Sequence, residues 1–224
     1  MHDALPLVRL FHLVSPSLPI GTFTYSQGLE WAVECGWVTN ESQLEEWVVN
    51  LLHTGVSQLD IPVLARLYQA CVSVDQHALN YWTQYLLASR ETQELRLEER
   101  NRGRALARLL IELDIPISIE LLSTLKSCQL SSFSYAAHYW QIPLTLTATG
   151  YVWAWLESIV LAGVKIIPLG QSAGQRIVAQ LTPKVPNIVA HGLAVEDEDM
   201  GASSFAQILA SSLHETQYTR IYRS

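Results

Sequence analysis

Histidine is the residue type in this sequence best suited to chemistry, because an imidazole serves both as a metal ligand and as an acid–base group near neutral pH. The chain has seven histidines, but no two of them are four residues apart, the interval that places two imidazoles on one helix face. The nearest approach to a ligand pair is His214 followed by Glu215. A helical enzyme or metal-binding protein would have to combine these two with a distant residue such as His191, and this is the alternative interpretation.

Motifs for nucleotide binding and acyl transfer are missing from the sequence. It contains no P-loop, no G-x-G-x-x-G and no G-x-S-x-G. The segment PLGQSAGQ, Pro168–Gln175, places two glycines at the start of a predicted helix, where free backbone N–H groups can hold an anion. It lacks the Lys-Ser/Thr pair that phosphates and magnesium require, so we interpret its glycines as aids to close packing. We therefore predict no catalytic residue, no cofactor and no resident metal.

Charge and composition restrict the partners that this chain binds. Its 224 residues carry a formal net charge of −7, which argues against nucleic acid, since that binding depends on Lys and Arg meeting phosphates. The arginines between 96 and 108 alternate with glutamates, a mixture typical of a solvated helix with i,i+4 ion pairs. Only 16% of the residues are charged, whereas 49% are hydrophobic. This balance predicts more apolar surface than one core buries, and hence self-association or stable partners.

The cysteines and the apolar stretches bear on the cellular compartment. The three cysteines are far apart and form no C-x-x-C, which favours reduced thiols in the cytoplasm. The N-terminus around Asp3 lacks the features of a signal peptide. The stretch Ile142–Ile167 is long enough to cross a bilayer. Its central Glu157 and its lack of flanking Lys and Arg clusters favour a buried central helix over a membrane-bound protein.

Helical spacing dominates the pattern of apolar residues. They recur at intervals of three and four along most of the chain, and no two alternating runs are joined by a tight turn. Most prolines fall where predicted helices begin or end. We predict an all-α single compact domain of about ten helices. Small residues every four positions from Gly150 to Ala162 would admit a neighbouring helix, which we assign to the same chain.

The last part of the chain is set off by the acidic, glycine-containing stretch VEDEDMGAS, Val195–Ser203. The segment beyond it is amphipathic at first and then polar and aromatic. We predict a helical body over residues 1–195 and a C-terminal tail over residues 196–224 that becomes ordered on a partner.

Four stretches resemble those of one family, the urease accessory protein UreF. SPSLPIGTFTYSQGLEWAVECGWV resembles the N-terminal signature of the family, and HETQYTRIYRS resembles its C-terminal end. VKIIPLGQSAGQRIVAQL and DMGASSF are similar to two segments between them. The resemblance extends over essentially the whole chain. Phe23 stands where many members of the family carry Tyr.

The resemblance implies an all-α, homodimeric, non-catalytic chaperone of the cytoplasm. Such a protein binds the accessory protein UreD, also called UreH, and then recruits the GTPase UreG. The complex delivers nickel to apo-urease, so nickel cation binding and nickel insertion are tasks of the assembly, and the UreF-like member regulates GTP use by UreG.

Twelve residues on the matching segments are the predicted partner-binding residues. They are Phe23, Tyr25, Glu30, Lys165, Pro168, Gly170, Gln171, His214, Glu215, Tyr218, Arg220 and Arg223. We expect Thr22 or Thr24 to cap the helix that carries Glu30, with Phe23 and Tyr25 projecting near the turn. We expect Arg220 and Arg223 to fold back onto this loop when UreD binds. Glu30 and Lys165 are the predicted contacts to UreG.

Overall fold

Helices make up the regular structure of residues 4–224, the part of the chain that the computed structural model describes. Asp3, on which the signal-peptide prediction depends, lies outside this part. Residues 4–224 form α1 (Leu5–Leu13), α2 (Leu29–Glu34), α3 (Glu41–Leu51), α4 (Ile61–Val72), α5 (Gln76–Ser89), α6 (Gln93–Glu112), α7 (Ile119–Ser127), α8 (Gln129–Tyr139), α9 (Leu144–Ile166), α10 (Gln171–Leu181), α11 (Val185–Leu193) and α12 (Phe205–His214). No strand occurs among these residues, so the predicted all-α fold is confirmed.

Helix α9 lies at the centre of the fold. It contacts α1, α2, α3, α4, α8, α10 and α11. Along its length only Thr145, Leu146 and Lys165 are exposed. Its length and composition would suit a membrane span, yet half of its most apolar window is buried inside the protein. The prediction of a buried central helix is therefore confirmed.

Two glycines let neighbouring helices of the same chain approach α9 closely. A Cβ atom at Gly150 would lie 2.6 Å from Leu10 of α1, and one at Gly163 would lie 2.5 Å from Leu44 of α3. The neighbour predicted for Gly150 is thus confirmed as a helix of this chain. Ala154 and Ser158, further along the stripe of small residues, instead line a cavity of about 40 Å³ beneath the loop that follows α1.

Helix α6 is not the solvated helix that its charge pattern predicts. Glu94, Glu98 and Glu99 are 7%, 4% and 6% exposed, because this face packs beneath other parts of the chain. The expected i,i+4 ion pair exists between Glu98 and Arg102, at 2.7 Å, but its carboxylate is buried. The alternating charges in the sequence therefore do not reveal that one face of α6 is acidic and buried.

A π-helical segment, Leu52–Asp60, joins α3 directly to α4 and has no counterpart in the sequence prediction. The wider turn carries Asp60 into the interior, where it is 3% exposed. Such segments are uncommon and frequently occur at functional sites.

Candidate functional site

The N-terminal stretch that precedes α2 is a loop that contains one short 3-10 helical turn, Thr22–Thr24. The hydroxyl of Thr24 donates to the backbone oxygen of Gly21 at 2.8 Å, so it closes the turn and does not cap the helix. The cap predicted at Thr22 or Thr24 is therefore wrong. The N-cap residue of α2 is Gly28, which has no side chain to cap with. The hydroxyl of Ser26, two residues earlier, accepts from the backbone N–H of Glu30 at 3.2 Å.

Gly28 allows α12 to lie directly on the start of α2. Its φ of 87° is in the left-handed region, and a Cβ atom there would lie 2.7 Å from the backbone nitrogen of Ser211. A glycine is thus required at this position both by the backbone conformation and by the packing of α12. Helix α12 leads into the C-terminal tail, which is thereby brought over the N-terminal loop.

Glu30 is buried, and its carboxylate holds the tail. It is 4% exposed and accepts hydrogen bonds from the backbone N–H groups of Ile221, at 2.6 Å, and Tyr222, at 2.9 Å. A third neighbour is His214, whose Nε2 lies 3.1 Å away. The tail of the same chain thus covers the Glu30 carboxylate, and the predicted contact between Glu30 and a partner, which would require the tail to move, stays a prediction.

His214 lies between two carboxylates and has no exposed surface. Its Nδ1 is 2.7 Å from Oε2 of Glu94, on the opposite side of the ring from Glu30. The other oxygen of Glu94 accepts from the guanidinium of Arg220 at 2.9 Å. The histidine and arginine of the C-terminal motif thus bind one acidic residue in the first turn of α6.

The end of the tail pairs with the N-terminal loop through the backbone. The N–H of Arg223 donates to the oxygen of Thr24 at 2.8 Å, and the N–H of Ser26 donates to the oxygen of Ser224 at 2.8 Å. The side chain of Arg223 is exposed, so this residue contributes its backbone. We call the assembly of Glu30, Glu94, His214, Arg220 and this backbone pairing the clamp.

Glu215 also acts within the chain. Its carboxylate accepts from the backbone N–H of Gln93 at 2.8 Å and so satisfies a free donor at the start of α6. Negative charge is favourable at that end of a helix. Nearby, the amide of Gln217 donates to Glu34 of α2 at 2.6 Å.

Three large side chains are exposed around the clamp. Phe23, Tyr218 and Ile221 are 65%, 103% and 73% exposed. Tyr25, predicted to project beside Phe23, is instead 6% exposed and belongs to the interior. Ile221 was not among the predicted residues, although it lies within the segment HETQYTRIYRS, whose resemblance to the C-terminal end of the family is the signal that could have included it.

The second group of predicted residues lies at the junction of α9 and α10. Lys165, Pro168, Gly170 and Gln171 are all exposed. Among the described residues, none of them makes a side-chain hydrogen bond or an ion pair with the clamp. Gly174, in the same motif, packs closely on α9, where a Cβ atom would lie 2.7 Å from Val164, so the predicted close packing is confirmed there. At Gly170 nothing lies within 4 Å of such an atom, so the close packing predicted for that glycine is wrong.

A buried polar chain connects the clamp to the core. Glu98 accepts from the amide of Gln27 at 3.1 Å, and the oxygen of that amide accepts from the indole N–H of Trp155 on α9 at 3.0 Å. The hydroxyl of Ser224 lies 3.4 Å from Glu98. Burial raises the pKa of the Glu98 carboxyl, and the Arg102 guanidinium opposes that shift.

A second ionic cluster lies deeper, beside the π-helical segment. The guanidinium of Arg90 bridges Asp60, at 2.9 Å, and Glu99, at 2.7 Å. The hydroxyl of Tyr151 donates to Asp60 at 2.8 Å. Burial raises the pKa of Asp60. Burial also acts to raise the pKa of Glu99, but the charge and hydrogen bonds of Arg90, together with the charge of Arg102, lower it on balance.

The alternative metal site at His191, His214 and Glu215 is contradicted. Nε2 of His191 lies 2.8 Å from the side-chain amide of Gln58, whereas both nitrogens of His214 face Glu30 and Glu94. Within residues 4–224, no group of three or more His, Cys, Asp or Glu side chains is placed to hold a metal ion.

The fold and the clamp indicate the class of protein. It is an all-helical protein whose N-terminal loop and C-terminal tail bind each other and leave large side chains exposed around the contact. The family model UreF matches residues 38–182. The urease accessory protein UreF of Alcanivorax borkumensis is 48% identical over 225 residues, which cover 96% of this chain and 97% of that protein. Those of Pseudomonas entomophila and Citrobacter koseri are 47% and 44% identical over the full length of both chains. The chain belongs to the UreF family of urease accessory proteins, which supports a role in urease maturation.

Proposed function

We propose that this protein is a non-catalytic scaffold that binds UreD, recruits the GTPase UreG and regulates it during GTP-dependent insertion of nickel into apo-urease. In this proposal it acts in the cytoplasm as a homodimer, and nickel is cargo of the assembly. The observation that carries the proposal is the clamp, which fixes a surface bearing exposed Phe23, Tyr218 and Ile221.

The energetics of these side chains favour a binding surface. When a partner removes apolar side-chain surface from water, the free energy of the complex falls by about 25 cal/mol per Å² buried. Phe23 and Ile221 belong to segments joined by hydrogen bonds, so little conformational freedom is left to lose when a partner binds there. We assign UreD to this face.

The exposed turn between α9 and α10 is a separate surface in this proposal. Lys165 and the segment Pro168–Gln171 present one positive charge and free polar groups beside a rigid central helix. Charged residues at the rim of an interface set its register and partner choice. We assign UreG to this surface, and Glu30, Glu94, His214, Glu215 and Arg220 to positioning the tail.

The division into a body over residues 1–195 and a tail over residues 196–224 is part of the same proposal. The tail is docked in the structure of the chain by itself. We propose that it exchanges between this docked form and a released form, and that UreD selects the docked form.

Co-purification tests the assignment of the clamp face. The triple variant Phe23→Ala, Tyr218→Ala, Ile221→Ala should lose capture of UreD while remaining folded. The matched control replaces Val74 and Ile119, which are 87% and 76% exposed outside the clamp and its flanking segments, and should capture UreD normally. Equal capture by both variants would overturn the assignment.

A further inference from the structure

We propose that the clamp is a proton-dependent lock. A doubly protonated His214 fastens the tail between Glu30 and Glu94, and loss of its proton releases the tail. The inference concerns how the proposed partner surface is regulated, but the lock itself is defined within this chain.

The hydrogen bonds of the docked tail require that both ring nitrogens of His214 carry a proton. The two ring nitrogens lie 2.7 Å and 3.1 Å from carboxylate oxygens of Glu94 and Glu30. An ionised carboxylate only accepts, so both nitrogens must donate, and a neutral imidazole has one N–H. After loss of a proton, one nitrogen lone pair would face a carboxylate oxygen at hydrogen-bond distance.

The charges around His214 also favour a protonated ring. Helix α2 contributes Glu30, α6 contributes Glu94, and the tail contributes Arg220. With a protonated histidine, two negative and two positive groups balance. Without that proton, a negative charge is left uncompensated around a ring with no exposed surface, which is costly.

The other acidic groups nearby already have partners. Glu215 accepts from the backbone of Gln93, and Glu34 accepts from Gln217. Glu98 is paired with Arg102. None of them replaces the contact that His214 loses, so the tail itself has to move.

Docking and protonation are therefore linked. The docked tail requires the proton and the released tail does not, so docking weakens as pH rises through the range in which His214 loses it. If one proton is lost on release, the docking equilibrium changes by up to about tenfold for each pH unit within that range.

Nuclear magnetic resonance of the full chain tests the lock directly. Ring-nitrogen shifts report whether His214 carries two protons, and hydrogen-exchange protection of the Ile221 and Tyr222 amides reports docking, after correction for the intrinsic effect of pH on exchange. We expect both nitrogens to be protonated while these amides are protected, and protection to fall as the proton leaves. Protected tail amides beside a neutral His214 would overturn the proposal.

Two variants separate titration of His214 from general effects of pH. In His214→Gln, the side chain does not titrate, so tail protection should be weaker and independent of pH. In His191→Gln, an exposed histidine of α11 is removed, and the wild-type response should persist. A pH response that survives in His214→Gln would contradict the lock; if that variant does not fold, the ring-nitrogen measurement on wild type still decides.

The lock and the proposed function fail in different experiments. Capture of UreD by the wild-type chain, measured across the same pH range, should follow tail docking. If docking titrates as expected and capture does not follow it, the lock stands and the assignment of UreD to the clamp face is wrong.

Discussion

The carboxylate of Glu30 accepts a hydrogen bond from the backbone N–H of Ile221 at 2.6 Å, although 191 residues separate the two in the sequence. The same carboxylate accepts from Tyr222 and lies beside His214. One acidic side chain on a short helix thus fixes three groups of the C-terminal tail. Both motif-bearing ends of the chain form one structural unit.

Glu30→Ala tests this dependence. The substitution leaves the N–H groups of Ile221 and Tyr222 and one side of His214 without an acceptor, and breaking a buried charged contact costs about 3–5 kcal/mol. We expect the tail to detach while the helical content is unchanged. Trypsin cleavage after Arg220, compared with circular dichroism, measures both. Glu112→Ala removes an exposed carboxylate at the far end of α6 and should leave Arg220 protected; equal resistance in the two variants would contradict the role of Glu30.

Gly28→Ala tests the close contact of α12 with α2, and Gly36→Ala is its matched control. Both glycines have positive φ, 87° and 78°, so alanine at either costs about 1–2 kcal/mol in backbone strain. Only at Gly28 does the new Cβ meet backbone, 2.7 Å from the nitrogen of Ser211, whereas nothing lies within 4 Å at Gly36. Urea unfolding should show a larger loss for Gly28→Ala, accompanied by exposure of the tail. Equal losses would mean that α12 moves away at no cost.

The sequence predicts the helices well and the clamp poorly, for physical reasons. Periodicity locates α9 and the all-α fold because burial of apolar residues at intervals of three and four is a local property. Glu30 and Glu94 appear as ordinary surface charges, because the groups that compensate them come from the far end of the chain. Sequence motifs indicate that both ends matter, but only the tertiary structure shows that they bind each other.

Buried Glu98 should make stability depend on pH in the sense opposite to that of an acid whose pKa is lowered by folding. Because burial raises its pKa in the folded state, the folded protein holds this proton more tightly than the unfolded chain. Its contribution to the free energy of unfolding therefore falls as pH rises from the ordinary glutamate range to the raised value. Glu98→Gln should remove that fall, as measured by urea unfolding at several pH values.

Glu120 provides the control for this titration. Hydrogen bonds from its own backbone N–H and from Ser118 lower its pKa, so its contribution is lost as pH falls. Glu120→Gln should remove a small change of the opposite sign. The account of Glu98 would be wrong if Glu98→Gln left the pH dependence of wild type intact.

The cysteines should react at very different rates. Cys35 is exposed, whereas Cys71 and Cys128 are buried, and burial raises the pKa of Cys71 to about 12. Because the thiolate is the reactive form, an alkylating reagent at neutral pH should modify Cys35 alone in the native protein. Mass spectrometry of the native and urea-unfolded protein checks this, and rapid native modification of Cys128 would show that the region around Glu99 opens.

Lys165→Ala and Glu30→Ala should separate the two proposed surfaces. Lys165 is exposed at the end of α9, and among the described residues it makes no ion pair, so its removal should leave the clamp and UreD capture unchanged. We expect it to weaken UreG recruitment by about tenfold, equivalent to ~1.4 kcal/mol. Glu30→Ala acts through the tail, so it should reduce UreD capture first and UreG recruitment as a consequence.

Lys184→Ala controls for the loss of a positive charge. It removes an exposed lysine in the turn before α11 and should bind both partners normally. Titration of UreG onto preformed complexes with UreD measures each affinity, and identical UreG binding by Lys165→Ala and wild type would remove the turn between α9 and α10 from the proposed interface.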